Sequence, residues 1–147
     1  MRRKSMNQYE KEQQIIEWLK DYEAYKYSIE NLKELIEDIA DEGMGIDYSR
    51  DKISPTNKYN SDTENKAIRM EKLNIQKRIK SMANVVNAVN KAMGSLTEIE
   101  RMIIKYRCIE NKFYYQFCYK LSLGERTARR KKKDALKKMA IVIFGEE

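Results

Sequence analysis

Apolar residues recur along the first part of the chain at alternating steps of three and four: Ile15, Trp18, Tyr22, Tyr25, Ile29, Leu32, Ile36 and Ile39. This spacing predicts a long helix over residues 9–40 with a heptad seam on one face. The pattern breaks over residues 41–60, where Gly43, Gly45, Ser54, Pro55 and several Asn and Asp predict a polar loop. A second heptad run follows through Ile68, Ile75, Ile79, Met82, Val86, Val89 and Met93, interrupted by Lys72. Ser61 with Glu64 has the spacing of a capping box that would open this helix, and Gly94 suits its C-terminal cap. Trp18, Tyr22 and Tyr25 are too bulky for a narrow two-stranded seam between chains, so an antiparallel hairpin within one chain is favoured over pairing across a dimer.

Beyond Gly94 the pattern shortens. Thr97 and Glu100 form another capping-box pair, and Ile99, Met102, Ile103 and Tyr106 predict the apolar face of a helix. A break at Glu110, Asn111 and Lys112 precedes a second helix over residues 113–121. Ser122, Leu123 and Gly124 make a turn, and a third helix runs over residues 125–144. Short helix, tight turn, long helix is the outline of a helix-turn-helix. Cys118 supplies the small residue expected where the helices cross, and Ala128 lets the second helix approach. Phe117, Leu121 and Leu123 are the expected filling, with Ala135, Met139 and Val142 continuing the buried stripe. The fold class expected is all-α: a hairpin over residues 1–93 for oligomerisation or interaction, then a helix-turn-helix domain over residues 94–147.

Charge sharpens this division. The chain carries 30 Lys and Arg against 23 Asp and Glu, a net +7. Residues 15–42 hold nine acids and three bases, a net −6, whereas residues 125–138 hold eight bases and two acids, a net +6. A polyanion-binding end and an end with another role fit that asymmetry. At about 100° per residue, turning Ala128, Ala135 and Met139 inward sends Arg126, Arg130, Lys133 and Lys137 outward. Thr127 and Arg129 flank that outer face. Lys132 falls on the buried side, and Lys131 at its edge, so the run Arg129-Arg130-Lys131-Lys132-Lys133 is not one surface.

An arginine fork matches guanine O6 and N7 in the major groove, and the N-terminal part of such a helix reaches base edges. Arg126, Arg129 and Arg130 are therefore the candidate base contacts. Thr127, Lys133, Lys137 and Lys138 are the candidate phosphate contacts. With no histidine, and with Cys108 and Cys118 in no metal-binding spacing, neither a metal nor a cofactor is expected. No phosphate-cradling glycine loop or nucleophile arrangement points to an enzyme. Neither a membrane span nor a secretory signal is expected.

Residues 96–140 resemble the helix-turn-helix of sigma-factor region 4. "LTEIERMIIKYRCIENKFYYQFCYKL" followed by "SLGERTARRKKKDALKKMA" carries its acidic opening, its small residue in the scanning helix, and the rhythm of Thr127, Ala128, Ala135, Leu136 and Met139. With the upstream "LKDYEAYKYSIENLKELIED", the polar loop and the heptad helix, the whole chain is similar to the ArpU/RinA family of phage late transcriptional regulators. Three positions depart from the motif. The turn usually reads glycine, apolar, serine, but here it is Ser122, Leu123, Gly124; and Lys132 stands where an apolar residue is usual.

The resemblance implies a DNA-binding activator of phage packaging, structural and lysis genes in the bacterial host cytoplasm, with helix 125–140 in the major groove. Its expected partner is double-stranded DNA, with host RNA polymerase and a second copy of the chain as further candidates. Two alternatives remain beside it: a DNA-packaging recognition subunit of the small-terminase kind, and a helical adaptor that binds only protein.

Overall fold

The computed structural model describes residues 5–44 and 55–145, with side chains described over residues 5–39 and 63–145. The described chain is all-α. Helix α1 spans Gln8–Met44 and α2 spans Pro55–Gly94, forming the N-terminal hairpin pair. Three shorter helices follow: α3 (Glu98–Ile104), α4 (Tyr114–Phe117) and α5 (Glu125–Phe144).

The expected loop over residues 41–60 is too long. Residues 41–44 complete α1 and residues 55–60 belong to α2, while residues 45–54 lie outside the described residues. Pro55 is the physical reason for the earlier start. A proline at the first helical position gives up an N–H that would have no partner there, and its fixed φ suits the helix. Pro55 marks the helix entry, and Ser61 with Glu64 does not open α2, because α2 is already under way at Ser61.

Packing divides the chain into two compact units at a different place from the expected 93/94 boundary. One unit joins the chain up to Tyr25 with everything from Asn84 onward; the other comprises residues 26–83. In the second unit Ile75 is buried and Ile29, Leu32, Ile36, Ile39, Ile68, Ile79 and Met82 are half-buried. The heptad seam is therefore present there but thinly covered.

The first unit holds the main core. Ile15 and Leu19 from α1, Val89 and Ala92 from α2, Ile104 and Cys108, and Ala135, Leu136, Met139 and Ala140 from α5 form one buried cluster. Trp18 stacks on Phe144 at a centroid distance of 6.0 Å, and Tyr22 hydrogen-bonds Asn90. A second cluster of Ile103, Phe117, Cys118 and Ala128, with Tyr106, Tyr114, Leu121 and Leu123 around it, joins α3, α4 and α5. These are the residues expected at the crossing of the helix-turn-helix, now joined by α3.

Two apolar faces are rotated from their expected positions. Ile99 and Met102 are 40% and 36% exposed, while Ile103 and Ile104 are both fully buried. Ile103 enters one cluster and Ile104 the other, so the buried arc of α3 is centred between these neighbours. On α5, Val142 is 42% exposed; Leu136 and Ala140 take its place because the second half of the helix packs against the hairpin base. The apolar tail divides likewise: Ile143 and Phe144 pack on the core, and Ile141 stays exposed.

Candidate nucleic-acid interface

The local geometry of the turn follows from its residues. Thr97 caps α3 by the expected box: its hydroxyl accepts from the Glu100 N–H at 3.3 Å, while its own N–H donates to Glu100 Oε1 at 3.2 Å. A single π turn, Lys105–Ile109, extends α3, and Asn111 ends it with φ 55°. Asparagine tolerates that left-handed conformation better than most residues. The Phe113 N–H donates to Gln116 Oε1 at 2.8 Å, opening α4, which tightens into a 3₁₀ turn at Cys118–Leu121. Ser122 then takes φ 55°, ψ 39°, a left-handed conformation that glycine adopts most readily. Gly124 is the N-cap of α5 in extended backbone and offers no capping side chain.

Seated this way, α5 presents its basic residues in three directions. Arg126, Arg130, Lys133 and Lys137 are exposed, and none forms an ion pair among the described residues. Thr127, Lys131 and Lys132 are partly covered, as the snorkelling expected of Lys132 requires. Arg129 leans toward α4: its guanidinium lies 5.2 Å from the Tyr114 ring centroid and 3.8 Å from the Glu125 carboxylate. Lys138 leans the other way, toward α3, and donates to Glu100 Oε1 at 2.8 Å. Its ammonium is thereby tied to a seam between helices, apart from the freely projecting lysines.

Glu100, expected only as the capping partner of Thr97, is also a buried acid paired with Lys138. Its side chain is only 6% exposed. Burial opposes its ionisation, but hydrogen bonds from Lys138 and from the hydroxyl and backbone of Thr97 prevail, holding the carboxyl below its ordinary range. Sequence patterning missed Arg107, on the π turn, whose guanidinium sits 5.3 Å from the same Tyr114 ring that Arg129 approaches. Burial pushes the Tyr114 phenol up, against the pull of Arg107, so the hydroxyl stays a donor at neutral pH. Cys108 and Cys118 are free and buried, and burial raises both thiols. Among the described residues no cluster of candidate metal ligands occurs, and no helix is long and apolar enough to cross a membrane.

Fold and site together define an all-α protein in which α5 contributes to both buried clusters while exposing Arg126, Arg130, Lys133 and Lys137. Over residues 11–140 the chain matches the family described as "Protein of unknown function (DUF722)", and it belongs to that family. No curated protein matches the chain, and no solved structure does.

Proposed function

We propose that this protein is a sequence-specific DNA-binding transcriptional activator of phage late genes, of the ArpU/RinA kind, that inserts α5 in the major groove. The observation that carries this reading is the outward projection of Arg126, Arg130 and Lys133 from a helix whose opposite side is fixed by Ala128 against Phe117 and Cys118. An α-helix fits the roughly 12 Å width of the major groove, and arginines in its first turns meet base edges. Arg126 and Arg130 are the base readers in this scheme. Thr127, Lys133 and Lys137 meet phosphates, while Arg129 turns toward the Tyr114 ring. Host RNA polymerase and a second copy of the chain remain the proposed protein partners.

The test is fluorescence anisotropy on labelled duplexes tiling a phage late-gene control region, against random duplex, at several salt concentrations. The expected result is tight binding to one tile that weakens steeply with salt. An Arg126→Ala/Arg130→Ala variant should lose at least about 30-fold on that tile, since each bidentate arginine contributes roughly 1–3 kcal/mol of discrimination. Equal weak binding to every duplex, or none, would overturn the base-reading assignment and favour a protein-binding adaptor.

A further inference from the structure

Arg107, Tyr114 and Arg129 form a cluster whose charge is not balanced from within. The two guanidinium carbons stand 5.3 and 5.2 Å from one ring centroid, so they are at most about 10.5 Å apart, close to one Debye length at moderate salt. Two more cations lie beside them. Lys112 and Lys120 stand 5.1 and 5.9 Å from the Tyr106 ring. The acids that answer are Glu125, 3.8 Å from Arg129, and Glu110, 3.8 Å from Lys112. Among the described residues, Arg107 pairs with no carboxylate at all.

Its hydrogen bonding is also incomplete. Arg107 faces the Tyr114 hydroxyl as a hydrogen-bond donor, but its Nε is buried without an acceptor, and Nη1 reaches Asn111 Oδ1 and the Lys112 carbonyl only at 3.5 and 3.4 Å. Those separations are beyond the usual range for an N–H···O bond. A partly buried guanidinium with unfilled donors is costly unless an anion completes it. Bidentate oxygen acceptors fit its fork best. The cluster draws one member each from the π turn, α4 and α5, so the missing anion would lie across the whole helix-turn-helix.

We propose that Arg107, Tyr114 and Arg129 form a cradle for phosphodiester oxygens of the DNA backbone, beside the groove that α5 enters. This rests on the DNA-binding reading above. It moves Arg129 from base reading to backbone binding, adds Arg107, which patterning of the basic run did not reveal, and gives the Tyr114 hydroxyl a backbone contact. Phosphate contacts position without reading sequence, so the signature of the cradle differs from that of Arg126 and Arg130.

The experiment compares the full-length protein with Arg107→Gln, Arg129→Gln and Tyr114→Phe on the bound tile and on random duplex over a salt series. Arg107→Gln and Arg129→Gln should each lower the log–log salt slope by about 0.9 and weaken both duplexes by one common factor, leaving their ratio unchanged. Tyr114→Phe should weaken both duplexes equally without changing the slope. A scan of single methylphosphonate replacements with the unsubstituted protein supplies a measurement independent of variant folding. One neutralised position should weaken the unsubstituted protein and leave Arg107→Gln unaffected.

An unchanged slope in Arg107→Gln while the unsubstituted protein binds DNA would overturn the cradle and leave the DNA-binding reading standing. So would a loss confined to the bound tile. Failure of the unsubstituted protein to bind any duplex would overturn both. Titration with inorganic phosphate, following the Arg107 Nε–H resonance, separates a free-phosphate site from a backbone site. Saturation by phosphate with no DNA effect would also overturn the proposal.

Discussion

Glu100→Gln keeps the shape of the side chain and removes its charge, isolating what the buried carboxylate contributes. In the native chain its Oε1 receives the Lys138 ammonium and the Thr97 hydroxyl, both at 2.8 Å. Lys138 is 48% exposed, so its pairing is screened and contributes about 1 kcal/mol or less. The Thr97 donors lose charge assistance, roughly halving bonds of about 1 kcal/mol. The expected cost at pH 7 is about 1–2 kcal/mol, seen as a lower urea midpoint by circular dichroism. The pH dependence supplies the sharper check. Because the folded carboxyl sits below its ordinary value, its stabilisation is present above the unfolded pKa of about 4.3. It is lost as pH falls through the folded pKa. The gap between native and Glu100→Gln proteins should therefore close in acid. Lys138→Met should show a comparable gap at pH 7, because it leaves the buried carboxylate without its cation, and that gap should close in acid too. A gap of the same size at pH 7 and pH 3, or no gap at pH 7, would refute this account of the α3–α5 seam.

The turn and the crossing allow two further checks. Ser122→Gly should stabilise by about 0.5–1 kcal/mol by relieving the left-handed conformation at φ 55°. Gly124→Ser should add a few tenths by supplying the missing cap, since a Cβ at Gly124 meets nothing within 4 Å; chemical denaturation of the single and double variants measures both. Phe117→Ala removes a fully buried ring that lies 5.4 Å from the Tyr106 ring and 5.7 Å from that of Tyr114. It should cost about 3–5 kcal/mol, with hydrogen-exchange protection lost first in α4.

Helix positions were legible in the sequence because period and caps act locally. The box at Thr97 and Glu100, the break at residues 110–112, the turn at residues 122–124 and the start of α5 all lie where their residues place them. What misled was punctuation with two meanings. Pro55 reads equally as loop and as first helical residue, and only the fold decides. Tertiary orientation was less legible still. Leu19 is fully buried although it lies off the heptad seam, and Val142 is exposed although it lies on the expected stripe. Each reflects packing against a helix distant in sequence, which no local period encodes. The placement of Arg107 and the pairing of Glu100 with Lys138 were hidden for the same reason: their partners in α4 and α5 lie across the turn.

The two halves of α5 answer to different neighbours, and this explains why five consecutive basic residues are tolerable on one helix. From Ala135 onward, the helix shares one core with α1, α2 and α3, where Leu136, Met139 and Ala140 cluster with Ile15, Leu19, Val89 and Ile104. Before Ala135, Ala128 is its buried contact with the helix-turn-helix core. A first half so lightly buried can expose Arg126, Arg130 and Lys133 while Arg129 turns to Tyr114 and Lys131 and Lys132 are partly covered. Rigidity that the small crossing cannot provide is supplied by the hairpin base. The hairpin is thus more than an appended interaction arm: its first helix completes the core that fixes the direction of the basic helix. Loosening Ile15 or Leu19 would consequently blur the aim of Arg126 and Arg130 without touching either arginine.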